Sequence, residues 1–140
     1  MKKFLIIIAM FLILISSQRI NNDFSLLNYF SGEYTAYTES AESKNSVDLG
    51  FCYMQNATVD IGKLVGESLV IKNFEPISAI NKLNAKIVKT EYLEDGSIVI
   101  YAFTNFIKDK VNIDNKSVNL QIAHNDKYSV IGWPLILGSF

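Results

Sequence analysis

Residues 97–133 read SIVIYAFTNFIKDKVNIDNKSVNLQIAHNDKYSVIGW, and the fold turns on how this stretch divides. It opens with SIVIYAFT, a β-branched and aromatic run of the kind that suits a pleated, half-buried surface. The run follows Glu94, Asp95 and Gly96. An Asp-Gly step supplies the positive φ of a tight hairpin turn, so the segment before the turn should pair with the one after it. After a short charged link, residues 111–114 (VNID) and 118–124 (VNLQIAH) alternate apolar and polar at a period of two, with Asn115 and Lys116 in the turn between them. Three consecutive antiparallel strands are therefore predicted. Val111, Ile113, Val118, Leu120 and Ile122 share one face and Asn112, Asn119 and Gln121 the other, the pattern of a sheet packed on one side and wet on the other.

Working outward, residues 85–93 (AKIVKTEYL) form the strand that leads into the Asp95 turn, and residues 68–74 (SLVIKNF) form another. Between them Glu75 and Pro76 open a helix, with proline in the first turn, where no intrahelical bond is lost by its missing N–H. Ile77, Ile80 and Leu83 recur at three-residue steps, which gives a helix of about nine residues with one apolar stripe. Such a helix needs a sheet to lie on. Upstream, residues 33–39 (EYTAYTE) have strand chemistry, and Asp23 or Ser25 can cap a short helix through Phe30 that Gly32 ends. Residues 41–46 (AESKNS) read as a polar loop, with a strand near 49–54 and a second extended piece at 58–61. This order implies an α+β fold: a single, mostly antiparallel sheet of five to six strands with one short helix packed on one face, after an N-terminal signal segment.

That segment has a clear layout. Lys2 and Lys3 precede an unbroken apolar run from Phe4 to Ile15, followed by Ser16, Ser17 and Gln18: a basic region, a short hydrophobic region and small residues at the cleavage point. As a helix the run reaches roughly 18 Å, short of the ~30 Å hydrocarbon core. Residues 1–17 are expected to be a signal peptide, or an uncleaved anchor lengthened through Ile20, with residues 18–140 as a single domain. The expected location is secreted or in the cell envelope, with membrane contact only through the N-terminal segment if it stays. The 140 residues carry 49% hydrophobic and 19% charged side chains and a formal net charge of −1, a globular composition. Twelve lysines against one arginine, with abundant Ile and Asn, read as the coding bias of an AT-rich, bacterial genome. Without a basic stripe the chain is a poor binder of nucleic acid, whose affinity rests on neutralised phosphates.

Recognisable catalytic machinery is lacking. The single cysteine, Cys52, cannot close an internal disulfide, and its neighbours Phe51, Tyr53 and Met54 favour burial. No cofactor and no metal are expected, since one His and one Cys cannot fill a zinc site and the aspartates lack calcium-loop spacing. His124 stands two residues before Asp126 at a turn. The tail WPLILGSF, residues 133–140, is almost wholly apolar, and Trp133, Leu135, Leu137 and Phe140 are expected to close the core against the Pro76 helix, or else to dock on a partner by strand addition. Two functions follow from these features. The favoured one is an exported, non-enzymatic binding or interaction domain that meets an unknown protein or envelope component through the sheet face bearing Asn112, Asn119 and Gln121, or through the apolar tail with Trp133. The alternative is a small hydrolase-type enzyme using His124 with a carboxylate such as Asp126, a pairing within hydrogen-bond reach or through one water.

Overall fold

The computed structural model describes residues 24–39, 44–52 and 64–136, the second strand and the last two residues of the first by backbone alone. The signal segment, the extended piece expected at 58–61 and the end of the tail lie outside the described residues. The strands are β1 (Gly32–Glu39), β2 (Lys44–Cys52), β3 (Leu64–Lys72), β4 (Lys86–Tyr92), β5 (Ile98–Phe103), β6 (Val111–Ile113), β7 (Lys116–Val118), β8 (Leu120–His124) and β9 (Tyr128–Trp133). Six of them, in the order β1-β3-β9-β8-β5-β4, make the main sheet. β2 extends it beyond β1 at one edge, and every neighbouring pair is antiparallel. The fold is α+β, as the element order implied.

One helix, α1 (Pro76–Lys82), connects β3 to β4 across the strands that separate them. It is shorter than the spacing predicted, because Asn84 takes a left-handed φ of 45° and Ala85 N donates to Ile80 O, which closes the last turn. Its buried stripe is Pro76, Ala79, Ile80 and Leu83, and Ile77 points to solvent. Ile80 and Leu83 thus lie on the stripe that the spacing predicts, and only Ile77 falls off it, its place taken by Pro76 and Ala79. Against the same sheet face lies a 3₁₀ turn, Leu26–Asn28, whose cap is Ser25: its hydroxyl accepts from Leu27 N. Leu26, Leu27 and Phe30 from this turn join Leu69, Leu83, Leu120, Ile122, Ile131 and Trp133 in the main core. A smaller apolar cluster, Val99, Ala123 and Val130, sits on the opposite face, with Ile136 packed against it.

The stretch 97–133 divides differently from the expectation at its centre. β8 pairs directly with β5, matching Ile122 to Ile100, and β9 is its next neighbour. β6 and β7 form a separate two-stranded ribbon, and Asp114 and Asn115 make its tip with φ of 50° and 62°. Two successive left-handed residues give the twist that a two-residue hairpin wants, and Asp and Asn are among the few residue types that adopt it readily. The turn thus falls one residue earlier than Asn115 and Lys116. The polar loop expected at 41–46 is also shortened, because β2 begins at Lys44 to match Glu39.

The tail crosses the sheet. Trp133 is buried in the helix-side core, but beyond Pro134 the chain turns over the other face, where Ile136 N donates to Gln121 Oε1 at 2.8 Å. Gly132 permits this crossing: a Cβ there would lie 2.8 Å from Ile136 Cγ1 and 3.0 Å from its Cα. The expectation that Leu135 and its successors close the core on the helix side is corrected for the segment up to Ile136.

Candidate functional site

Of the residues expected to meet a partner, on the sheet face or in the tail, Asn119, Gln121 and Trp133 are buried. Asn119 is fully buried at the break between β7 and β8. Its amide donates to Thr104 O at 2.8 Å and Ile107 O at 2.9 Å while its carbonyl accepts from Thr104 N at 2.9 Å. It holds the 104–107 loop as a substitute for strand pairing. Gln121 is buried under the returning tail and accepts from Ile136 N. Asn112 alone is exposed, on the β6–β7 ribbon. The wet face predicted from alternation is corrected: period two separates the faces of a strand and says nothing of what covers each one.

Trp133 belongs to a polar hub that the sequence did not reveal. Glu67, in the middle of β3, has no exposed surface. Its Oε1 accepts from Ser25 Oγ at 2.5 Å and Tyr34 Oη at 2.6 Å, and its Oε2 from Leu26 N at 2.8 Å and from Trp133 Nε1. Four donors converge on one carboxylate, so its lone pairs are satisfied without a cation. The register makes this possible: Ala36 and Trp133 flank Glu67 on the two neighbouring strands, and Tyr34 stands two residues from Ala36 on the same face. The hub is sealed, and it serves architecture.

His124 ends β8 beside a shallow pocket of about 280 Å³ lined by Phe74, Glu75, Asp126 and Tyr128 among others. Its Nδ1 lies 2.8 Å from Ser129 Oγ, and that hydroxyl donates to Phe74 O at 2.7 Å. Because the single hydroxyl proton goes to the carbonyl, Ser129 must accept, and His124 donates from Nδ1. A Ser-His nucleophile needs the opposite polarity, with the hydroxyl giving its proton to the ring. Glu75 and Asp126 line the pocket, but among the described residues no carboxylate oxygen reaches either ring nitrogen by a hydrogen bond or ion pair. No group of three or more His, Cys, Asp or Glu side chains able to hold a metal occurs among them either.

Three of the five large apolar side chains exposed among the described residues lie instead at the open edge of the sheet; the other two are Ile77 on α1 and Phe106 on the 104–107 loop. β4 pairs with β5 on one side only among the described residues. Along β4 and the residue after it, Ile87 is 43% exposed, Tyr92 79% and Leu93 40%. Charges alternate with them. Lys89 Nζ lies 2.7 Å from Glu91 Oε1 and 3.0 Å from Asp114 Oδ2 at the ribbon tip. The hydrogen bond from Lys89 holds the Glu91 carboxyl below its ordinary range, and Lys89 is correspondingly raised by its two carboxylate partners. Tyr101 Oη donates to Glu91 Oε2 at 3.3 Å, and partial burial, helped by the Glu91 charge, pushes the phenol up. At the turn, the Ser97 backbone N–H donates to Asp95 and lowers its carboxyl. A free strand edge that carries apolar side chains is a template for pairing with another chain.

Searches against protein-family models, curated proteins and solved structures returned no match for this chain.

Proposed function

We propose that this chain is an exported, non-enzymatic interaction domain and that the β4 edge is the surface through which it meets its partner. The observation that supports this reading is the run of exposed Ile87, Tyr92 and Leu93 on a strand whose outer side is unpaired among the described residues. Outward-pointing backbone groups supply affinity in strand addition, and the flanking side chains supply selectivity. Export rests on the basic, apolar and small-residue layout of the first seventeen residues.

The test uses the full chain expressed in a bacterial host with its own leader. A photo-crosslinking amino acid in place of Tyr92 is expected to yield discrete adducts outside the cytoplasm, whereas the same probe in place of the exposed Lys110 should yield none. Leu93→Ser should remove those adducts without lowering the melting temperature, and His124→Ala should leave them unchanged. An intact mass beginning at Gln18 outside the membrane fraction accords with cleavage and release. Retention of the whole chain in the cytoplasm, or adducts that ignore Leu93, would overturn the reading.

A further inference from the structure

The proposed contact surface is consistent with one partner in particular, and the inference rests on that surface being the β4 edge. We propose that β4 pairs antiparallel with β4 of a second copy of this chain about a two-fold axis through Thr90.

The backbone phase comes first. Leu93 N donates to Ser97 O across the hairpin at 2.8 Å, so Leu93 turns its backbone groups inward to β5. In an antiparallel ladder this orientation alternates residue by residue. Glu91 therefore also faces β5, and Thr90 and Tyr92 present their N–H and C=O outward. A strand brought to this edge bonds to Thr90 and Tyr92.

The side chains then select the register. Reading outward from Thr90, the sequence carries Lys89 and Glu91, Val88 and Tyr92, Ile87 and Leu93, and Lys86 and Glu94 at equal distances on either side. Two-fold pairing centred on Thr90 sets Lys89 of each copy opposite Glu91 of the other; further out, the bulge turns Ile87, paired with Ala102, to the other face from Lys89, paired with Tyr101, so the charge pairs alone set this register. Centring on Lys89 would put lysine against lysine, and centring on Glu91 glutamate against glutamate, which is unfavourable for residues directly opposed. Registers centred between residues would place side chains from opposite faces across from each other. The Thr90 register thus satisfies the charges and, from Lys89 to Glu91, the faces, and it makes the interface isologous, the form that closes a dimer.

The bulge between Ile87 and Lys89 limits the regular ladder to the segment from Lys89 onward. Thr90 and both partners of its flanking charge pairs lie inside that segment. Lys89 and Glu91 share one face and are already bound to each other within a chain, so the dimer joins two such pairs into a square of alternating charge. A lysine on a sheet edge commonly deters pairing. Here the glutamate two residues away converts the same lysine into a register pin.

The experiment is a disulfide trap in the full chain. Directly opposed, hydrogen-bonded residues in an antiparallel ladder have Cα atoms about 5.5 Å apart, within the roughly 4.4–6.8 Å that a disulfide spans. Thr90→Cys should therefore give a covalent dimer under mild oxidation, which peptide mapping locates between the two copies of position 90 and separates from any link through Cys52. Lys89→Cys and Glu91→Cys should each stay largely unlinked alone and cross-link when mixed. Lys89→Glu and Glu91→Lys should each be monomeric by light scattering, and an equimolar mixture should recover the dimer, a readout that general misfolding would not produce. A monomeric wild-type chain whose Thr90→Cys variant remains unlinked overturns self-pairing. If that chain still gives adducts to a different protein from position 92, the interaction reading survives without it; loss of both results overturns both.

Discussion

Two carboxylates on this sheet have similar immediate company and opposite consequences. Glu67 and Glu91 both sit on strands, and each accepts from a tyrosine hydroxyl on a neighbouring strand. Glu67 is sealed, and its remaining bonds come from a backbone amide, a serine and an indole. Glu91 lies at the free edge, and its counter-ion is a solvated lysine. A buried acceptor fixes whatever donates to it, because an unpaired donor in the interior is expensive. An exposed ion pair loses little when it exchanges partners, because water and salt already screen it. The sheet therefore has an interior site that holds the fold and a margin that can meet something else.

The sharpest way to break this contrast is to remove the sealed acceptor. Glu67→Ala removes the acceptor of the buried donors Leu26 N and Trp133 Nε1 and one acceptor of the Tyr34 hydroxyl. At about 1–3 kcal/mol for each buried donor left unpaired, the loss should be on the order of 3 kcal/mol or more, read from urea denaturation. A loss under ~1 kcal/mol would mean that the hub does not organise the fold. Asn119→Ala should follow, at about 2 kcal/mol for the bonds that hold the 104–107 loop, with faster amide exchange at Thr104. Trp133→Phe keeps the ring buried and removes one donor to Glu67, so about 1–2 kcal/mol is expected.

The open margin should respond least. Lys89→Ala is expected to leave the urea midpoint nearly unchanged while abolishing the cross-link at position 90. Its acid dependence sharpens the same contrast. Glu91 and Asp95 are both held below their ordinary values of 4.5 and 3.8, so the stability they lend is present above those values and fades as pH falls through the lower folded ones. The urea midpoint should therefore decline modestly below about pH 4. Glu91→Gln combined with Asp95→Asn should flatten that part of the profile.

Much of the architecture was readable in the chain because it is written in local chemistry. Asp95 and Gly96 announced the hairpin, and Gly96 indeed takes φ of 84°. Pro76 placed the start of α1 correctly. The errors arose where a long-range partner decides the outcome. Asn119 and Gln121 looked wet because alternation records parity, and only the 104–107 loop and the returning tail make those positions interior. Glu67 was invisible for the same reason: nothing near it in sequence distinguishes it from a surface glutamate, and its donors come from 33 to 66 residues away. The β4 edge could have been found from the mirrored pattern of lysines, apolar residues and glutamates around Thr90, but that pattern acquires meaning only once β4 is known to end the sheet.

The Glu67 hub also sets a timetable. Its donors come from the 3₁₀ turn, from β1 and from the final strand, separated from it by 42, 33 and 66 residues. Ser25 and Tyr34 precede Glu67 in the chain and Trp133 follows it by 66 residues, so the carboxylate stays one donor short until β9 has docked. Non-local closures of this kind slow folding, and an incompletely satisfied interior is what proteases sample through local opening. A chain truncated before Trp133 should accordingly be cleaved faster by a protease than one truncated after Ile136, which makes a single indole the check on closure of the hub.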